Sequence, residues 1–161
     1  MKYLKIKFLF ILLILMQKLV FAHCQVPCGI YDDKLRISII NEDLKTISKA
    51  MKKIKDLSKE SDPLTQNQIN RWIKTKEQHA QNIQKICSEY FLTQRIKENS
   101  KNYSEKITLI HRLLISSMKC KQTIDQKNVV ISTTLLNSFI ELYFNKHEVE
   151  HLKKLDRHAG N

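Results

Sequence analysis

The sequence predicts an all-α protein: an up-and-down four-helix bundle preceded by a short N-terminal hook and a cleavable leader. Three observations carry this. The 161 residues include only two Gly and two Pro, too little turn chemistry for a strand-rich fold. Apolar residues recur at helical spacing in four stretches, with no sustained period-2 alternation. The polar runs between those stretches are short, which makes antiparallel neighbours the default. The length suits one domain, divided into 1–22, a leader that is removed; 23–32, the hook; and 33–161, the bundle.

The leader reads as a secretory signal. Lys2, Lys5 and Lys7 precede an unbroken apolar run from Phe8 to Met16, and Val20-Phe21-Ala22 forms a V-x-A cleavage site. That run is shorter than the ~20 residues a bilayer span requires. Export is therefore expected, with no membrane association after cleavage, to a periplasmic, extracellular or endomembrane space.

Each bundle element has its own signal. Asp32 or Asp33 suits the cap of a first helix over 34–57, whose Ile37, Ile40, Leu44, Ile47, Met51, Ile54 and Leu57 share one face. Asp62-Pro63 closes the turn that follows. Thr65 with Gln68 reads as a capping box for a second helix. Its stripe is Ile69, Trp72, Ile73, Ala80, Ile83, Ile86, Cys87, Tyr90 and Phe91, interrupted by Lys76 and His79, polar groups that need partners. After Arg95 the polar run 96–104 reads as a loop. A third helix is expected over 105–121, with Ile107, Ile110, His111, Leu114 and Met118 on one face. Asp125 caps a fourth helix that carries Val129, Leu135, Leu136, Phe139, Ile140, Tyr143 and Phe144 and frays after Leu155.

The net charge is +12; less the four leader lysines, a chain starting at His23 carries +8. The lysines are spread over all segments, without a dense arginine block or interleaved aromatics. That pattern favours a solvated basic surface over a nucleic-acid site, and no nucleic-acid partner is expected. A positive field also attracts small anions.

The hook lies directly after the cleavage site. Once Ala22 is removed, His23 is the N-terminus, and one loop offers an α-amine, an imidazole, the Cys24 and Cys28 thiolates and a backbone amide. These donors can close around one metal ion. Pro27 keeps the loop out of helix and Gly29 permits a tight turn after Cys28. A Cys24–Cys28 disulfide is a competing reading for an exported chain. Structural zinc fits less well, since the loop supplies only three side-chain ligands. Cys87 and Cys120 can pair in an oxidising compartment or remain buried thiols. His147 and His151, at i and i+4, read as an exposed helical pair rather than a metal site.

The run H-C-x-x-P-C-G-x-Y-D over 23–32 resembles the nickel hook of nickel-containing superoxide dismutases. The resemblance implies one nickel ion per subunit and superoxide as substrate. It implies a homohexamer of four-helix bundles. The implied metal ligands are His23 (α-amine and axial imidazole), Cys24 (amide and thiolate) and Cys28 (thiolate). Tyr31 is implied as the catalytic aromatic that limits access to the open metal face and helps deliver protons, and Pro27 as a cis residue. Ile73-Lys74-Thr75-Lys76-Glu77-Gln78-His79 is similar to a family segment containing K-E-Q. In some members an arginine follows it and supports the axial imidazole; here His79 stands in that place, as a hydrogen-bonding support for His23 or as an ordinary bundle histidine. Some members use a helix-1 glutamate as well, for which Glu42 is the nearby residue. Tyr90-Phe91 matches a Y-F pair of the family, with core packing as the favoured role. Some bacterial members carry a processed pro-segment, so a cytoplasmic protein with a processed leader is the alternative location.

Two other functions compete. One is a secreted binding protein with disulfides Cys24–Cys28 and Cys87–Cys120; the other is a non-catalytic nickel or copper carrier.

Overall fold

A computed structural model describes residues 32–158. The leader and the hook residues His23, Cys24, Pro27, Cys28 and Tyr31 lie outside that range.

Asp32 opens the bundle. Its backbone is extended (φ −78°, ψ 126°) and its carboxylate accepts from the Lys34 amide at 2.7 Å, capping α1, Asp33–Leu57. The expected apolar face is buried from Ile37 to Ile54, and Asp43 is buried within it.

α2, Pro63–Lys85, is capped by Asp62, which accepts from the amides of Leu64 (3.0 Å) and Thr65 (3.1 Å). This corrects the expected Thr65 cap. A residue before proline is held extended, the backbone an N-cap requires, and Pro63 at the first helical position has no amide to satisfy. Thr65 instead lies buried in the first turn. α2 then widens without a break into a π-helical segment, Ile86–Arg95. The Thr93 hydroxyl donates to Ser88 O (2.7 Å) and the Gln94 side chain to Glu89 O (2.8 Å), while the Ile96 amide closes onto Phe91 O at 2.9 Å. All three reach back five residues, the π spacing.

α3, Tyr103–Gln122, starts two residues earlier than expected, after Asn102 in the left-handed region (φ 57°), which asparagine tolerates. α4, Gln126–Tyr143, begins at the predicted cap, where Asp125 accepts from the Lys127 amide at 2.9 Å. It does not continue to Leu155. The chain breaks at 144–145 and a separate helix follows, α5, Lys146–His158. The cause is a second capping box: the Glu148 amide donates to Asn145 Oδ1 (3.0 Å), and the Asn145 amide donates to Glu148 Oε2 (3.2 Å).

α1 packs on α2 and α4, and α3 packs on the same two, so the four long helices close into the expected bundle; α5 returns against α1 and α4. Ile37, Ile40, Leu44, Ile47, Ile83, Ile110, Leu113, Leu136, Phe91 and Phe139 fill the centre. Among the described residues there is no strand, and no helix is long and apolar enough to cross a membrane.

Candidate functional site

The candidate site is the end of the bundle where α1 begins, because the hook joins the chain there. Asp33 is the focus. Arg95 grips its carboxylate side-on, Nε to Oδ1 and Nη2 to Oδ2, both at 2.8 Å. The Tyr143 hydroxyl donates to Oδ2 at 2.7 Å and the Tyr90 hydroxyl to Oδ1. The π segment makes this possible. Residues five apart stack one above the other where the helix closes i to i+5, so Tyr90 and Arg95 reach the same carboxylate. Tyr143, the last residue of α4, approaches from across the bundle.

Aromatic rings surround the group. Phe91 meets Tyr90, Phe139 and Tyr143 edge-on at 5.1–5.6 Å, and Tyr143 stacks on Phe139 and meets Phe144. The Arg36 and Arg95 guanidiniums lie 5.4 and 5.8 Å from the Tyr90 ring centre, within cation–π range. Burial works to raise the Asp33 pKa, but the bonds from Arg95, Tyr90 and Tyr143 and the Arg95 charge outweigh it and hold the carboxyl below its usual value. Burial, with Asp33 as acceptor, pushes the Tyr143 phenol up to about 12 and Tyr90 higher still. Both phenols keep their protons near neutral pH.

Further along α1 and α2 lies a second polar group. His79 Nδ1 and Asp43 Oδ1 are 2.6 Å apart, and the Asn82 amide donates to Asp43 Oδ2 at 2.7 Å. A carboxylate accepts, so Nδ1 carries the proton and Nε2 is the nitrogen left for another partner. The His79 side chain is 34% exposed while that of Asp43 is 5%; the dyad is anchored inside and open outside. Burial raises the Asp43 pKa, partly offset by its bonds from His79 and Asn82.

Lys76, the other polar interruption of α2, is buried, and its ammonium donates to the Cys120 carbonyl at 2.8 Å and to that of Lys121. It therefore serves the α3 C-terminus, where carbonyls lack helical partners. Cys87 and Cys120 are free buried thiols, and burial pushes Cys87 up to about 12. The pairing that the disulfide-bonded alternative requires is absent. Among the described residues, no group of three or more His, Cys, Asp or Glu side chains is placed to hold a metal ion.

A family model described as nickel-containing superoxide dismutase matches residues 18–147. The chain belongs to the nickel-containing superoxide dismutase family. It is accordingly a superoxide dismutase, an oxidoreductase whose family implies nickel and superoxide. No curated protein and no solved structure matches the chain.

The span matched in this superoxide dismutase includes 23–32 and α1 to α4, and stops within the first turn of α5. Of the site residues expected from sequence, His79 is described, and its partner is Asp43. Asp43 had a legible signal: Ile40, Asp43, Ile47, Ala50 and Ile54 step by 3, 4, 3 and 4, which puts the aspartate on the buried face. Asp33 was legible only as a possible cap, and Arg95 only as the edge of a loop.

Proposed function

We propose that the mature chain dismutates superoxide at a nickel ion held by His23, Cys24 and Cys28: two superoxide ions and two protons give dioxygen and hydrogen peroxide. The observation that carries this is the family match across 18–147, which takes in the H-C-x-x-P-C run. The donor set fits the metal. Thiolate sulfur and a deprotonated amide are donors that suit nickel, and nickel held by them would supply the one-electron cycling between Ni(II) and Ni(III) that both half-reactions need. The α-amine is a ligand only if the leader is removed after Ala22. Export follows from the apolar leader.

The residues of the chain have separate tasks. Tyr31 screens the open face of the site and holds the water through which protons reach peroxide. Pro27 shapes the loop between the cysteines. His79 supports the His23 imidazole through Nε2, with Asp43 fixing the ring. Chain reach allows that contact: the nine Cα–Cα steps from His23 to Asp32 span up to roughly 30 Å, and Asp43 lies about 15 Å along α1 from Asp33. A homohexamer with one nickel ion per subunit completes the reading. Exposed Ile115, Met118, Val130 and Ile131 on α3 and α4 suit a subunit contact.

The test combines N-terminal sequencing, nickel analysis, sizing and a superoxide-consumption assay on purified mature protein. A start at His23, one nickel per subunit and turnover are expected. Cys24→Ser or Cys28→Ser should abolish turnover and leave the helical circular dichroism unchanged. Nickel without turnover would leave a carrier; turnover in either serine variant would remove the ligand assignment.

A further inference from the structure

We propose that Asp33 is the positioning residue of the hook: Arg95, Tyr90 and Tyr143 clamp its carboxylate and thereby hold fixed the first turn of α1, the turn to which the hook is joined. The inference rests on the nickel reading above and concerns residues outside the hook.

Asp33 follows directly on Asp32, the last hook residue. Asp32 already provides the cap, through its side chain to the Lys34 amide and its carbonyl to the Arg36 amide at 3.1 Å. Capping therefore leaves the Asp33 carboxylate unexplained. That carboxylate collects four hydrogen bonds from the π end of α2 and the last turn of α4. The first turn of α1 is thus tied to two other helices at one point. Rotation or fraying of that turn would swing everything N-terminal to it, and the bidentate arginine grip sets an orientation as well as a distance. Tyr90 is 2% exposed and Asp33 15%, so water competes poorly for the phenol bonds, while Arg95, 38% exposed, closes the clamp on its solvent side. A metal loop tolerates little misplacement, since changing an outer support of a ligand typically costs 10–100-fold in metal affinity or activity.

The experiment uses the mature chain from His23 and three variants: Asp33→Asn, Arg95→Lys and Tyr143→Phe. Tyr143→Phe keeps the ring against Phe91 and Phe139 and removes one bond. Nickel affinity is measured by competition with a chelator, the Ni(III) centre by electron paramagnetic resonance, and the fold by melting of the nickel-free chains. Asp33→Asn should bind nickel at least tenfold more weakly and show an altered resonance spectrum, with Tyr143→Phe shifted in the same sense by less. A purely structural role would lower the melting temperature and leave the spectrum and affinity of the folded protein unchanged; that outcome overturns the clamp. Should Asp33→Asn fail to fold, Tyr143→Phe and Arg95→Lys decide by the same two readouts. A wild-type chain that takes up no nickel sinks the functional reading and the clamp together, whereas wild-type binding with unaltered variants sinks the clamp alone.

Discussion

Among the described residues, the buried charges Asp43 and Lys76 and the half-buried Asp33 each have a fixed acceptor or donor, and single substitutions should expose that. Lys76 holds two carbonyls at the end of α3. Lys76→Met keeps the stem and removes the donor, so two helix-terminal carbonyls lose their partner; a loss of about 1–3 kcal/mol is expected, read from urea midpoints. Asp33 gives a pH signature. Its folded pKa is lowered, so its contribution is full above the ordinary carboxylate range and is lost as the pH falls through the folded value. Stability of the wild type should therefore drop more steeply below about pH 4 than that of Asp33→Asn. Asp43, whose folded pKa is raised, works in the opposite direction, but it is common to both proteins and cancels in the comparison. Equal slopes would show that the clamp carries no net charge-dependent stability.

At the scale of elements, capping and spacing decided most of what was legible. The α1 boundary was predicted within a residue because Asp32 caps locally, and Asp125 fixed the start of α4 in the same way. The errors were local too. Thr65 with Gln68 satisfies the capping-box pattern, but Asp62-Pro63 satisfies a stronger one three residues earlier. Asn145 with Glu148 is the capping box that an apolar periodicity running through Tyr143 and Phe144 concealed. Asn145→Ala should cost about 1 kcal/mol, and hydrogen exchange should localise the loss to the α5 amides; protection unchanged there would mean that Val149 and Leu152, both buried, hold the helix without its cap. The π segment had no comparable signal. Its turn is widened by side chains that reach back five residues and by what Tyr90 and Arg95 meet at Asp33.

For the whole molecule, charge is the property that reaches furthest. Lys45, Lys49, Lys52 and Lys53 line a groove of about 560 Å³ between α1 and α4, beside Val129 and Thr133. Such a field draws in a small anion and is screened by salt. For the nickel enzyme, kcat/KM for superoxide should fall several-fold as ionic strength rises from roughly 0.01 to 0.2 M, with a smaller drop in Lys49→Gln/Lys52→Gln. A salt-independent rate would show that encounter is not steered by this surface.

The sequence alone determined the four long helices and the buried faces of α1, α2 and α4; on α3 the expected face is corrected, since Ile110, Leu113, Ser116, Ser117 and Cys120 are buried while His111 and Met118 are exposed. Periodicity and caps are properties of neighbouring residues, and a short-range reading captures them. Only the tertiary structure decided which polar groups meet: Asp43 with His79, 36 positions apart, and Asp33 with Tyr143, 110 apart. No local pattern encodes such a pair, because the partners are brought together by how α1, α2 and α4 pack. A carboxylate on a buried face announces that it needs a donor, and the packed bundle determines which one it receives.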